Sequence, residues 1–100
     1  MAKKSLVWTD NAKTEFKEIL DFFNKRNGNS NYSLKLYTKT YNLLDRLIEN
    51  ELIGRLTTNK TSRVLVMDVY LIFYEIHDKR ILIISFWDNR QSPSNRIDNL

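Results

Sequence analysis

The chain has 100 residues, of which 42% are apolar and 28% charged, and its formal net charge is +4. That length supplies one hydrophobic core and not two, and the composition is that of a globular domain rather than a disordered chain; residues 1–100 therefore read as a single domain. Cysteine is absent, which excludes disulfides and thiolate metal sites. The longest apolar run, Ile81-Leu82-Ile83-Ile84, is far too short to cross a bilayer, and the basic start Met1–Trp8 lacks the apolar stretch of a signal peptide. The expectation is a cytoplasmic protein with no membrane contact.

Residues 4–8 predict a short strand, and Thr9-Asp10-Asn11 offers N-cap oxygens for the helix that follows. Ala12, Phe16, Ile19, Leu20 and Phe23 then form one helical stripe, closed by Lys25, Arg26 and Asn27-Gly28, so the first helix spans roughly residues 10–26. After the polar Asn29-Ser30-Asn31, the residues Leu34, Tyr37, Tyr41, Leu44 and Ile48 recur at spacings of three and four. Leu36, Leu43 and Leu47 widen that face, giving a second helix over roughly residues 31–50, with Tyr37 and Tyr41 read as core.

Beyond Gly54 the composition changes. Residues 57–62 are polar and loop-like, and three β-rich runs follow at 63–67, 69–76 and 81–87. Asp68 makes a tight connection between the first two, and His77–Arg80 connects the second hairpin. The order is β-α-α-β-β-β: an α+β fold with a helical hairpin packed on one face of a mostly antiparallel four-stranded sheet. The strands are apolar at nearly every position instead of alternately, so the second face of the sheet needs a cover, either the C-terminal tail or another protein.

Four segments in this order resemble the RelE/ParE superfamily of toxins from type II toxin–antitoxin systems. They are Val7-Trp8-Thr9-Asp10-Asn11-Ala12-Lys13-Thr14-Glu15-Phe16, Ser62-Arg63-Val64-Leu65-Val66, Tyr70-Leu71-Ile72-Phe73-Tyr74-Glu75-Ile76, and the closing Ile83-Ile84-Ser85-Phe86-Trp87-Asp88-Asn89-Arg90-Gln91-Ser92-Pro93. The resemblance implies a small acidic antitoxin that wraps the toxin. It further implies one of two targets: the ribosome, where the RelE-like branch cleaves mRNA, or DNA gyrase, which the ParE-like branch blocks without enzymatic chemistry. A third alternative is an antitoxin-binding module that has lost catalysis.

Cleaving RNA through its 2′-hydroxyl requires a base, an acid and a cation on the pentacoordinate phosphate, the last a role that suits arginine. By the resemblance, Arg63 and Arg90 occupy the positions of catalytic cations, whereas two further positions that are often basic hold Leu65 and Leu71. Strand alternation and the family's pairing predict Arg63, Leu65 and Leu71 on one face. Arg55, Lys60 and Arg63 lie in a segment without an acid and are the candidates for nucleic-acid phosphate, against a reading as a solvated loop. Leu65, Leu71, Trp87 and Arg90 are the candidates for contact with a protein partner. His77, the sole histidine, reads as a solvated turn residue, and Glu75 as exposed or paired with Arg80. With one histidine, no cysteine and no phosphate-cradling glycine loop, no metal and no cofactor are expected.

Overall fold

Thr9 ends the first strand and starts the first helix: its hydroxyl accepts the Ala12 N–H at 3.1 Å, satisfying one of the donors that a helix N-terminus leaves unpaired. A computed structural model describes residues 3–91 and 96–97. The strand is β1 (Ser5–Trp8) and the helix α1 (Asp10–Asn27), which stops at Gly28 in the left-handed conformation, φ 69°. Helix α2 (Asn31–Glu49) returns antiparallel to α1. Four strands follow: β2 (Arg55–Leu56), β3 (Arg63–Met67), β4 (Tyr70–Ile76) and β5 (Arg80–Asp88).

The sheet therefore has five strands where the sequence suggested four, in the order β1-β5-β4-β3-β2. The added strand is a two-residue edge, too short to show a period in sequence. Only β1 and β5 are parallel, with Leu6 opposite Ile81 and Trp8 opposite Ile83; the other pairs are antiparallel, as expected. The β3–β4 connection is a two-residue turn, Asp68-Val69, with Asp68 at φ 56°, a conformation that aspartate tolerates better than most residues.

That turn sets a register that overturns one expectation. Met67 faces Tyr70, so Leu65 faces Ile72 and Leu71 faces Val66. Arg63 and Leu65 thus share the helix-covered face, while Leu71 lies on the other. The prediction that all three share a face fails because one residue of register exchanges the two faces.

The main core lies between the helices and the sheet. Ala12 and Phe16 from α1 and Leu36, Leu44 and Leu47 from α2 meet Leu65, Met67, Ile72, Tyr74, Ile81, Ile83 and Phe86. The buried side of α2 is rotated from the expected stripe: it carries Ser33, Leu36, Thr40, Leu44 and Leu47, while Leu34 is 61% and Tyr37 48% exposed. The small polar side chains tolerate burial because each has a partner. The Thr40 hydroxyl donates to the Leu36 carbonyl at 2.7 Å and that of Ser33 to the Leu20 carbonyl at 3.0 Å. Tyr37 and Tyr41 instead stack with Phe16 and Trp8 in a groove between the helices.

On the second face, Val64, Leu71, Phe73 and Trp87 form a separate cluster, against which Ile84 and Ile97 pack. Ile97 comes from the C-terminal tail, so the chain itself supplies part of the cover that the continuous apolar strands require; residues 92–95 and 98–100, including Ser92 and Pro93 of the closing motif, lie outside the described residues.

Two polar locks hold these layers in place. The Tyr74 hydroxyl donates to the Glu51 carbonyl at 2.7 Å and accepts the Gly54 N–H at 2.9 Å, and Arg63 Nη1 donates to the Gly54 carbonyl at 2.8 Å. At β5, Glu15 Oε1 accepts from the Ser85 hydroxyl at 2.8 Å and the Phe86 N–H at 3.2 Å. Burial pushes the Glu15 carboxyl above its ordinary range, against the pull of those two hydrogen bonds.

Each lock has a measurable consequence. A Cβ at Gly54 would sit 2.6 Å from the Tyr74 ring and hydroxyl. Gly54→Ala is expected to cost about 2 kcal/mol in urea unfolding, through overpacking and loss of the hydroxyl contacts. Because the folded pKa of Glu15 is raised, its protonated form stabilises the fold. Stability from this group is fully present below the ordinary value of 4.5 and is lost as pH rises through the folded pKa. Glu15→Gln keeps an acceptor for Ser85 and Phe86 and should remove that increment, visible as a flatter unfolding free energy between neutral pH and about 4.5.

Candidate functional site

Strand β5 outruns β1: pairing between them ends at Trp8–Ile83, leaving residues 84–88 without a strand neighbour on that side. Helix α1 leans across the gap. The Asn11 amide and Thr9 hydroxyl donate to the Ile84 carbonyl at 3.2 and 3.4 Å, and Glu15 takes the Phe86 N–H. Further along, the two elements diverge into a groove of about 470 Å³. One wall is Ile19, Phe22, Phe23 and Arg26 of α1, and the other is Phe86, Trp87, Asp88 and Arg90. Phe22 lies off the buried stripe and is 56% exposed. That signal was legible in the sequence, since an apolar residue out of phase with its helix marks a surface; Glu15, Glu18 and Arg26, common on any solvated helix, gave none.

Arg90 stands at the mouth of this groove and is held by Asp88 in a two-pronged ion pair, Nε to Oδ1 at 2.9 Å and Nη2 to Oδ2 at 2.7 Å. Its backbone N–H also donates to Oδ1 at 2.9 Å. The guanidinium holds the Asp88 carboxyl well below the usual range, and Asp88 raises Arg90 in return. Beside them the Tyr70 and Tyr32 hydroxyls lie 2.9 Å apart, and burial drives Tyr70 far above its ordinary pKa. The Asp88 carboxylate is thus stabilised as an anion and the Tyr70 phenol as a neutral acid.

Arg63, the other cation expected to act, is elsewhere. It is level with Tyr74 on β4, whereas Asp88 is level with Tyr70, four residues along that strand and across one further strand spacing. At about 3.4 Å per residue and 4.8 Å per strand, Arg63 and Asp88 are roughly 17 Å apart along the sheet. The Arg63 guanidinium is committed to the Gly54 carbonyl, on a different part of the sheet from Arg90. Nor do Arg55, Lys60 and Arg63 form a shared patch. Arg55 is opposite Val64 and so lies on the face away from Arg63, and Lys60 sits in the 57–62 turn with φ 62°. That turn is knit internally by Asn59 Oδ1, which accepts from the Thr57 hydroxyl at 2.7 Å and the Thr61 N–H at 2.9 Å.

The expected partner surface is also divided. Leu65 is buried in the core beneath the helices; Leu71 and Trp87 are opposite one another on the second face, and Trp87 reaches the groove where Arg90 is exposed. The Trp87 indole N–H is buried and has no hydrogen-bond partner among the described residues. His77 is a partly exposed turn residue, as expected, but the partner of Glu75 is His77 at 3.0 Å and not Arg80, whose carbonyl instead closes the hairpin with the His77 N–H. Among the described residues, no group of histidine and acidic side chains could hold a metal ion, and no helix is long and apolar enough to cross a membrane.

The fold is one seen before. The chromosomal ParDE toxin–antitoxin system from P. aeruginosa contains a chain that superposes with a TM-score of 0.72 at 22% identity, over 84% of this chain and 94% of that one. No curated protein gives a significant match to the sequence. The family model of the ParE toxin of type II toxin–antitoxin systems matches residues 6–93, from β1 through the closing segment after β5, and this chain belongs to that family.

Proposed function

We propose that this protein is a ParE-like toxin that acts by binding a protein target, DNA gyrase, and not by cleaving mRNA. Membership of the family implies an antitoxin partner. The observation that carries the choice of mechanism is the separation of Arg63 from Arg90 together with the commitment of both guanidinium groups within the fold. Transition-state stabilisation of phosphoryl transfer needs cations converging on one phosphate beside a group able to move its proton. Arg90 and Asp88 satisfy one another, and Tyr70 is held as a neutral phenol, so the end of β5 suits recognition better than catalysis. An exposed arginine beside Phe22 and Trp87 is the kind of residue set that anchors protein interfaces.

The test sets two assays side by side with purified protein: supercoiling by gyrase, and mRNA integrity during cell-free translation. Supercoiling should be blocked with mRNA intact, and Arg90→Ala should weaken the block by about tenfold or more, as expected for removal of an interface anchor, while Arg63→Ala acts through stability alone. Ribosome-dependent cleavage abolished by either alanine variant would overturn the proposal in favour of the nuclease branch.

A further inference from the structure

On the side of α1 opposite the groove at the end of β5, a second groove of about 360 Å³ lies between the two helices. Four rings frame it in a closed circuit. Trp8 of β1 stacks on Phe16 of α1 with centroids 5.3 Å apart, and Phe16 lies nearly parallel to Tyr37 of α2 at 6.2 Å. Tyr41 completes the circuit, 4.7 Å from Tyr37 and 6.0 Å from Trp8. Phe16 is the buried member, fixed from below by Phe86 at 4.5 Å, whereas Tyr37 and its neighbour Leu34 are open to solvent. A ring cluster serving the core alone would be buried; this one keeps apolar surface in water, which favours uptake of an apolar body.

Most polar groups around this groove are already engaged. Lys17 pairs with Asp21 at 2.8 Å, and the Ser33 hydroxyl donates to the Leu20 carbonyl and the Asn24 side-chain oxygen. Burial raises the Tyr41 phenol above its ordinary range, so it stays neutral and able to donate. Lys13 also lines the groove, is exposed, and makes no ion pair among the described residues. Charge then selects the occupant. Aromatic faces alone would attract a cation, but Asp21, the acid in the lining, is taken by Lys17, and Lys13 repels a cation. An aromatic ring can instead stack on the walls while a carboxylate at its edge meets Lys13. A concave apolar site of this size with a few polar groups is the form that small-ligand pockets take.

We propose that the groove between α1 and α2 binds a small planar aromatic carboxylate. Its ring packs against Phe16 and Tyr37, and its carboxylate pairs with Lys13. The lining shares no residue with the groove at the end of β5, so the site is independent of how the toxin acts through Arg90.

The probe is naphthoate, titrated into the full chain and followed by chemical shifts in NMR spectra and by the thermal unfolding midpoint. Saturable binding should move the Trp8 indole N–H and the Tyr37 amide, and should raise the midpoint as ligand concentration rises. Naphthylmethylammonium carries the same rings with the opposite charge and should bind about fivefold more weakly. Tyr37→Ser removes the exposed wall and should weaken naphthoate binding by about tenfold. Should that variant fail to fold, Lys13→Glu alters an exposed side chain and should weaken naphthoate by about fivefold while favouring the ammonium. No binding of naphthoate, equal or tighter binding of the ammonium by the unaltered chain, affinity unchanged in the variants, or shifts confined to the groove at the end of β5 would each overturn the proposal.

Discussion

The organisation of this molecule depends on β5 being an interior strand with only part of a neighbour. Along β4 it is paired from Ile81 to Asp88, but on its other side β1 offers four residues and then turns into α1 at Thr9. A buried strand with open backbone groups is costly, because each unpaired N–H or C=O forfeits its hydrogen bonds to water. Helix α1 resolves this with side chains in place of a strand: Thr9 and Asn11 at the Ile84 carbonyl, and Glu15 at Ser85 and Phe86. The position of α1, and with it the helical hairpin, is fixed by that substitution.

The groove at the end of β5 follows from the same geometry. Where Glu15 stops bridging, helix and strand part, and Phe22, Trp87 and Arg90 are left around the opening. The two-pronged contact with Asp88 orients Arg90 while offsetting its charge. At the far side of the sheet, Tyr74 ties Gly54 and Glu51 to the core and Arg63 braces Gly54 from above. Arg63 is thereby a structural residue of the connection between α2 and β2. The two arginines that the superfamily resemblance marked as a pair have different partners in this fold, the Gly54 carbonyl for Arg63 and the Asp88 carboxylate for Arg90.

The element order was readable because each element carried a strong local period or cap. Thr9 announced the start of α1 and Gly28 its end, and the residues of β3 emerged at 63–67 as anticipated. Strand β2 was not readable, since two residues between a glycine and a threonine-rich turn have no period. The face of α2 was misjudged for a different reason. Tyr37 and Leu34 look like core by residue type, yet Ser33 and Thr40 take the buried positions because each donates to a nearby carbonyl and because small side chains let α2 approach its neighbours. Hydrophobicity alone could not anticipate a polar residue satisfied by its surroundings.

The amino-acid sequence by itself determined the helices, the β-rich second half, the need for a cover over both sheet faces and the family to which the chain belongs. These depend on local propensity, periodicity and ordered motifs, all of which are properties of neighbours in the chain. Only the tertiary structure decided which residues meet. A two-residue turn at Asp68-Val69 sent Leu71 to the face opposite Arg63, and strand order placed Arg63 two strands away from the end of β5 that carries Arg90. Register and strand order arise from contacts between distant segments, and a shift of one residue exchanges the two faces of a strand while leaving its composition unchanged.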